Sequence, residues 1–288
     1  MPALRYFVPG GWGRLANGPH PDRARQDAET LLLHVLKKNK AWLLAHADDD
    51  LPDDQAARFS ELLERRFCGE PIQYIIGEAE FYGLPFRVTP EVLIPRPETE
   101  HLVEKALELA TLSDGYSSKP HRILDVGTGS GAIAIALAHH LPNAQLTALD
   151  ISSTALDIAR ENVIRNAVAD RIQFIQSDLL ASVAHERFDM VVSNPPYVAL
   201  TDRQSLSVEV RDHEPALALF AGEDGLDIYR RLIPEAFAVL EAGGYLLMEI
   251  GFGQSSAIAS LLKEAGFEGI EFVPDLQGIP RAACAQRR

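Results

Sequence analysis

"LDVGTGSGAIAIALA", residues 124 to 138, decides the fold. A short apolar run ends at Gly127, and a helical pattern starts at Ala132. Gly127, Gly129 and Gly131 permit a tight turn between strand and helix and let the main chain come close to a ligand. The same texture recurs downstream. "RILDVG", "QLTALD", "IQFIQSD", "FDMVVSN" and "GYLLMEIG" are short apolar runs, each closing on a polar or glycine residue. Helical patterns such as Ala132 to His139 and Thr154 to Arg165 lie between most of them. This alternation predicts βα units and a mostly parallel sheet covered on both faces, a Rossmann-like α/β architecture. "GIEFVPDL" and "AACAQR" are expected to close it with an antiparallel pair.

Ligands in such sheets bind beyond the carboxyl ends of the strands. Gly127, Asp150, Asp178 and Asn194 end successive strands and are therefore expected to line one cleft. Asp150 lies 23 residues beyond Gly127, where an acid can accept hydrogen bonds from ribose hydroxyls. Both NAD and S-adenosylmethionine carry such hydroxyls, and the glycine spacing alone also satisfies the dinucleotide pattern. Asp178 is placed to meet an adenine amino group.

The fourth strand narrows the choice. It stops on Asn194-Pro195-Pro196-Tyr197. A planar –NH2 group that is to be methylated presents two N–H donors and needs two acceptors. The Asn194 side-chain oxygen and the Pro195 carbonyl supply them. Consecutive prolines fix φ, carry no competing N–H, and restrict Pro195 toward extended geometry. Tyr197 is expected to lay its ring against the flat face of the substrate group. Residues 198 to 225 form a long connection after this corner, a candidate lid, and Gly222-Glu223-Asp224-Gly225 is expected to let it move.

Upstream, residues 1 to 23 are rich in Gly and Pro, and no structure is assigned to them. Ala28, Leu31, Leu32, Val35 and Leu36 share one face of a helix over 24 to 36. A second helix is predicted over 53 to 67, capped by Asp53 or Asp54 and ended by Gly69. A hairpin follows in "EAEFYGLPFRV" with Gly83 in its turn, and Pro97 suits the first turn of the next helix. "SDGYSSKP", residues 113 to 120, reads as a polar linker.

The chain has 288 residues, enough for one large domain or two unequal ones. No apolar run approaches membrane-spanning length, and the N-terminus lacks the apolar core of a signal peptide. Two cysteines far apart in sequence fit free thiols in a reducing cytoplasm. A net charge of −14 disfavours a nucleic-acid partner and suits a basic protein better.

The glycine loop followed by Asn-Pro-Pro-Tyr resembles the S-adenosylmethionine-dependent amino-methyltransferases. These include N6-adenine nucleic-acid methylases and protein glutamine-N5 methyltransferases. "GEPIQYIIGEAEFYGLPFRVTPEVLIPRPETEHLV", residues 69 to 103, is closely similar to the PrmC/HemK family, with "IPRPETE" (Ile94 to Glu100) its most specific part. "DAETLLLHVL", "DHEPALALFAGEDGLDIYRRLI" and "DLQGIPR" resemble further motifs of that family, so the likeness covers about residues 24 to 281.

The resemblance implies a methyltransferase fold, with domains at 1–76 (helical, release-factor-binding), 77–96 (hairpin linker) and 97–288 (catalytic). It implies methylation of the glutamine in the Gly-Gly-Gln motif of class I peptide chain release factors, by a cytoplasmic monomer without metal. The N6-adenine nucleic-acid reaction is the alternative. S-adenosyl-L-methionine would be held by Gly127, Thr128, Gly129, Ser130, Gly131, Asp150, Asp178, Leu179 and Asn194. Many members carry an aromatic at the position of Leu179. The substrate would meet Asn194, Pro195, Pro196, Tyr197, Arg96 and Glu98. Of these, Asn194, Pro195 and Tyr197 serve the reaction.

Overall fold

The computed structural model describes residues 2–114, 120–275 and 277–288. Most of the stretch expected as a polar linker, 113 to 120, lies outside the described residues. The chain forms two compact units: Met1–Glu78 with Leu206–His213, and Ala79–Ser205 with Glu214–Arg288.

The first unit is helical, with α1 (Phe7–Leu15), α2 (Ala24–Leu36), α3 (Lys40–Ala45), α4 (Asp53–Phe67) and α5 (Ile72–Ile76). Ala28, Leu31 and Leu32 of α2 share a core with Phe59, Leu62 and Leu63 of α4. Helix α1 occupies part of residues 1 to 23, to which the sequence reading assigns no structure. Its Pro9 sits in the first turn, where no intrahelical N–H bond is lost. At Gly11 a Cβ would stand 3.1 Å from both Ala28 Cβ and Phe59 Cζ. Glycine therefore lets α1 press against α2 and α4, and this packing outweighs its low helix propensity. Helix α4 starts after Pro52 without a side-chain cap; Asp53 and Asp54 lie in the first turn, where their charge favours the positive end of the helix. It is followed by Gly69 at φ +92°.

Arg66 of α4 is buried. Its Nε donates to Asp27 at 2.6 Å, and its Nη1 donates to the Glu70 carbonyl at 3.0 Å and to Glu209. Glu209 belongs to the segment Leu206–His213, which the contacts place in this unit.

The second unit opens with a hairpin, β1 (Glu78–Phe81) and β2 (Leu84–Arg87). Tyr82 and Gly83 both have positive φ, the geometry of a tight two-residue hairpin turn. Then follow α6 (Glu100–Asp114), β3 (Arg122–Val126), α7 (Ala132–His140), β4 (Gln145–Asp150), α8 (Ser153–Arg165), β5 (Ile172–Gln176) and β6 (Phe188–Ser193). After α9 (Val208–His213) come α10 (Asp227–Val239), β7 (Leu240–Glu249), α11 (Ser255–Glu264), β8 (Glu268–Pro274) and β9 (Pro280–Gln286).

Among the described residues the main sheet has seven strands in the order β5-β4-β3-β6-β7-β9-β8. Strands β3 to β7 run parallel, and β9 is antiparallel to both β7 and β8. The chain winds outward from β3 through β4 to β5, then returns to the other side of β3 as β6. The topological switch therefore lies between β3 and β6, where open α/β sheets place their ligands. In register, Val126 pairs with Leu149 on one side and Ser193 on the other, so the ends of β3, β4 and β6 are level. Helix α7 is buried from Ala132 through Ala138, and its alanines let it lie close on the sheet.

Candidate active site

The glycine loop leaves β3 at the switch point. The Gly127 and Thr128 N–H groups both donate to the Leu149 carbonyl at 2.8 Å, which folds the loop over the end of β4. Gly127 (φ +74°) and Gly129 (φ +54°) hold left-handed backbone, and a Cβ at either would meet no protein atom within 4 Å. Both line a cavity of about 490 Å³, so the space a side chain would take is left to a ligand. Gly131 is needed for packing instead, since a Cβ there would stand 2.9 Å from Ile135 Cδ1 and 3.3 Å from Ala159 Cβ. Thr128 and Ser130 are buried and also line the cavity.

Three acids serve the loop end of the sheet in different ways. Asp150 Oδ2 accepts the Gly129 N–H at 2.8 Å and Oδ1 accepts the Ser152 N–H at 2.9 Å. Burial raises its pKa despite these bonds, which favour the charged form. Asp125 was not singled out from the sequence. It is fully buried, and its Oδ2 accepts Thr128 Oγ1–H at 2.6 Å and Ala134 N–H at 3.2 Å. Burial pushes its pKa up to about 7. Asp178 lines the cavity from an exposed position and accepts from Arg231 Nη2 at 2.8 Å, so an arginine of α10 shares this wall. Leu179 follows with φ +46° and also lines the cavity.

Asn194 leaves β6 beside this loop. Ser193 Oγ donates to the Val126 carbonyl at 2.7 Å and ties the two strand ends together. Asn194 and Pro196 line the same cavity as Gly127 and Gly129. Pro195 and Tyr197 are not among the lining residues. Pro195 is buried, and the Tyr197 ring packs against the apolar core while its hydroxyl donates to Glu249 Oε1 at 3.1 Å. Burial first, then the neighbouring Glu249, raises the Tyr197 pKa. Asn194 Nδ2 donates to Thr99 Oγ1 at 3.0 Å, and Thr99 Oγ1 donates to Glu249 Oε2 at 2.5 Å.

From the segment before α6, Leu93, Pro95 and Arg96 line the cavity, whereas Glu98 is exposed and outside it. Arg96 Nη2 donates to the buried Glu214 Oε1 at 2.5 Å, which anchors the start of the wall formed by Pro215 to Ala218. Gly222 and Gly225 are closely packed, while Glu223 and Asp224 between them are exposed. A Cβ on Gly225 would stand 2.3 Å from the Tyr197 carbonyl, and one on Gly222 would stand 1.9 Å from Asp227 Oδ2. Gln254 Nε2 donates to the Tyr197 carbonyl at 3.0 Å, and Val198 N–H donates to the Leu219 carbonyl at 2.8 Å. These glycines answer close approach and positive φ.

Sequence reading missed Asp125, Thr99, Glu249 and Asn162. Asn162 is buried; its amide takes the Arg87 N–H at 2.7 Å and donates to the Ser130 carbonyl at 2.9 Å, joining β2 to the glycine loop. A polar residue inside an apolar helical stripe is its only sequence signal.

Residues 106–210 match the methyltransferase small domain family, and residues 15–77 match the PrmC N-terminal domain family. A release factor glutamine methyltransferase of Koribacter versatilis is 43% identical over 94% of this chain and 93% of its own length. This chain belongs to the release factor glutamine methyltransferase family. The enzyme of that name from Cereibacter sphaeroides is 43% identical over 99% of this chain and 97% of its own.

The fold is shared more widely than the family. A methyltransferase from Pyrococcus furiosus aligns with a TM-score of 0.51 at 18% identity, over 72% of this chain and 90% of its own. A 16S rRNA methyltransferase of T. thermophilus, solved with AdoMet and guanosine, aligns with a TM-score of 0.53 at 20% identity, over 73% and 50%. At these identities the likeness is one of fold. Among the described residues of this family member, no helix is long and apolar enough to cross a membrane.

Proposed function

We propose that this chain transfers the methyl group of S-adenosyl-L-methionine to the side-chain amide nitrogen (N5) of the glutamine in the Gly-Gly-Gln motif of class I peptide chain release factors. The observation that carries this reading is a shared cavity: Asn194 and Pro196 line the same space as Gly127 and Gly129. An amide-holding corner and a ligand cradle thus meet at one switch point.

The residues fit the donor. Gly127 and Gly129 leave room that any side chain would fill, and the cavity has the size of a small-molecule site. Thr128, Ser130 and Gly131 complete the loop that holds it. Asp150 braces the loop and stands at the ribose position. Asp178 and Leu179 form the wall for the base, where Leu179 gives apolar contact without stacking. When bound, the donor supplies an electrophilic methyl carried on a positive sulfur.

The acceptor is the harder half, because a carboxamide lone pair is delocalised into its carbonyl. Asn194 Oδ1 accepts one N–H group at the cavity, and the main-chain carbonyl of Pro195, a residue set back from the lining, would accept the other; the pair orients the nitrogen and raises its electron density. Pro195 and Pro196 bring no N–H of their own to compete. Tyr197 supports the corner from the core side. Orientation in a desolvated cavity is worth about 7–11 kcal/mol in favourable cases. The amide proton becomes acidic as the N–C bond forms and leaves to Asn194 or water. Arg96 holds the substrate side of the wall, and Glu98 lies outside the cavity where the incoming loop enters.

The helical domain at residues 1–76 grips the release factor, the hairpin at 77–96 links it to the catalytic domain at 97–288, and the enzyme works as a cytoplasmic monomer. The net charge of −14 suits a basic protein partner better than a nucleic acid. The test is incubation with the labelled donor and a class I release factor, followed by peptide mass spectrometry. One added methyl on the Gly-Gly-Gln glutamine, absent when that residue is alanine, is the expected result. Label on DNA and none on the release factor overturns the reading.

A further inference from the structure

We infer that Thr99 and Glu249 are positioning residues that set which end of the Asn194 amide is offered to the substrate. This rests on the function proposed above and deepens it. Asn194 is useful only if its oxygen, not its nitrogen, faces the N–H groups it is to hold. The two ends are nearly identical in shape, so packing alone does not choose between them.

The choice is made by counting protons along a chain of bonds. Glu249 is 3% exposed at the end of β7, and as a carboxylate it only accepts. Its Oε2 takes the Thr99 hydroxyl at 2.5 Å and its Oε1 takes the Tyr197 hydroxyl at 3.1 Å. Thr99, 4% exposed, has one hydroxyl proton, and Glu249 receives it. Thr99 Oγ1 therefore has only lone pairs to offer Asn194, and the amide must turn its Nδ2 to it, at 3.0 Å. Oδ1 is left as the acceptor, and among the described residues no donor meets it. Reversing the amide would set two lone pairs against each other.

The device works only while Glu249 is ionised. A protonated Glu249 becomes a donor, the Thr99 proton is released toward Asn194, and the amide gains a second stable orientation with Nδ2 outward. Burial raises the Glu249 pKa, and the Thr99 and Tyr197 hydrogen bonds oppose it. Glu98 raises it further while Arg96 lowers it; Tyr229 donates to the Glu249 backbone carbonyl at 2.7 Å, and Arg281 acts on the neighbouring Tyr197. Activity is then lost as pH falls through the raised pKa of Glu249.

The experiment pairs kinetics with a readout independent of turnover. With the full chain, Thr99→Val is expected to lower kcat about 10- to 100-fold. The KM for the release factor should stay within about twofold of wild type, and Thr99→Ser should restore turnover. Glu249→Gln should remove the acid limb of the kcat profile. In parallel, the Asn194 side-chain amide resonances, assigned by their loss in Asn194→Ala, are followed by NMR across pH in the unsubstituted protein and in Glu249→Gln. They should move with a single titration in the former and stay fixed in the latter. Unchanged kcat in Thr99→Val, or resonances indifferent to pH in the unsubstituted protein, overturns the inference. If the unsubstituted protein does not methylate the glutamine, the proposed function fails, and the amide titration still decides the relay.

Discussion

The carboxylate of Asp150 accepts the Gly129 N–H at 2.8 Å, so the acid that ends β4 holds the loop that follows β3. Gly129 has positive φ and no side chain to fix it, and this bond is what keeps its backbone in place. Hydrogen bonds to a charged group are worth about 1.5–3 kcal/mol. Asp150→Ala should therefore weaken binding of S-adenosylhomocysteine at least about tenfold. Isothermal titration calorimetry checks this, and an affinity equal to wild type removes Asp150 from the cofactor site.

Asn194→Ala removes the acceptor that the proposed reaction aims at the transition state. Loss of one such hydrogen bond costs about 2.7–4 kcal/mol, or 100- to 1,000-fold in kcat. Steady-state kinetics with a release factor should show this fall in kcat. Turnover near wild type rules out the role given to the corner.

Asp125 makes stability depend on pH in a direction opposite to most carboxylates. Its pKa rises from an ordinary 3.8 to about 7 in the folded protein. Below pH about 4 it is protonated in both states, and its contribution to stability is fully present. Between the two values only the folded state keeps the proton, and the contribution is lost as pH rises through 7. The span approaches about 4 kcal/mol. Asp125→Asn keeps an oxygen for Thr128 and Ala134 but does not titrate. Its melting temperature relative to wild type should climb from pH 5 to 7 and level off above. A difference flat across that range contradicts the placement.

Two glycines separate backbone strain from close approach. Gly243 has φ +85° with open space around its missing Cβ. Gly225 has φ +74°, but a Cβ there would stand 2.3 Å from the Tyr197 carbonyl. Gly243→Ala should cost about 1–2 kcal/mol of left-handed strain alone. Gly225→Ala should cost more and also lower kcat, because it pushes on the corner that carries Asn194. Urea unfolding and kinetics on the pair distinguish the two effects.

Arg66 is buried against Asp27 in the helical unit. Arg66→Ala takes the 2.6 Å donor from a carboxylate that is 2% exposed and leaves it Arg23 Nε at 4.0 Å, a loss of about 3–5 kcal/mol in similar pairs. A melting temperature within a degree of wild type would show that Asp27 finds another donor.

Much of the site was legible because its devices are local. The strand-glycine-helix turn, the Tyr82-Gly83 hairpin and the Asn-Pro-Pro stop each restrict backbone within a few residues. Helices α2 and α4 follow from an apolar period that only one face of a helix satisfies. Helix α1 was not legible, because "FVPGGWGRL" has poor propensity and its glycine is explained only by the neighbours it touches. The glycines at 222 and 225 were legible only in part: hinge freedom and close approach call for the same residue, and the structure adds the close approach.

The sequence by itself determined the alternation of strands and helices from residue 122 onward, the glycine turn between Gly127 and Gly131, and the position of Asn194 at a strand end. Backbone sterics and hydrophobic period act along the chain, and the chain carries them in plain order. Only the tertiary structure decided how Asn194 is oriented. Thr99 and Glu249 lie 150 residues apart and meet only when α6 packs on the sheet beside β7. Hydrogen-bond direction depends on which polar groups are shut away from water together, and no local pattern encodes that.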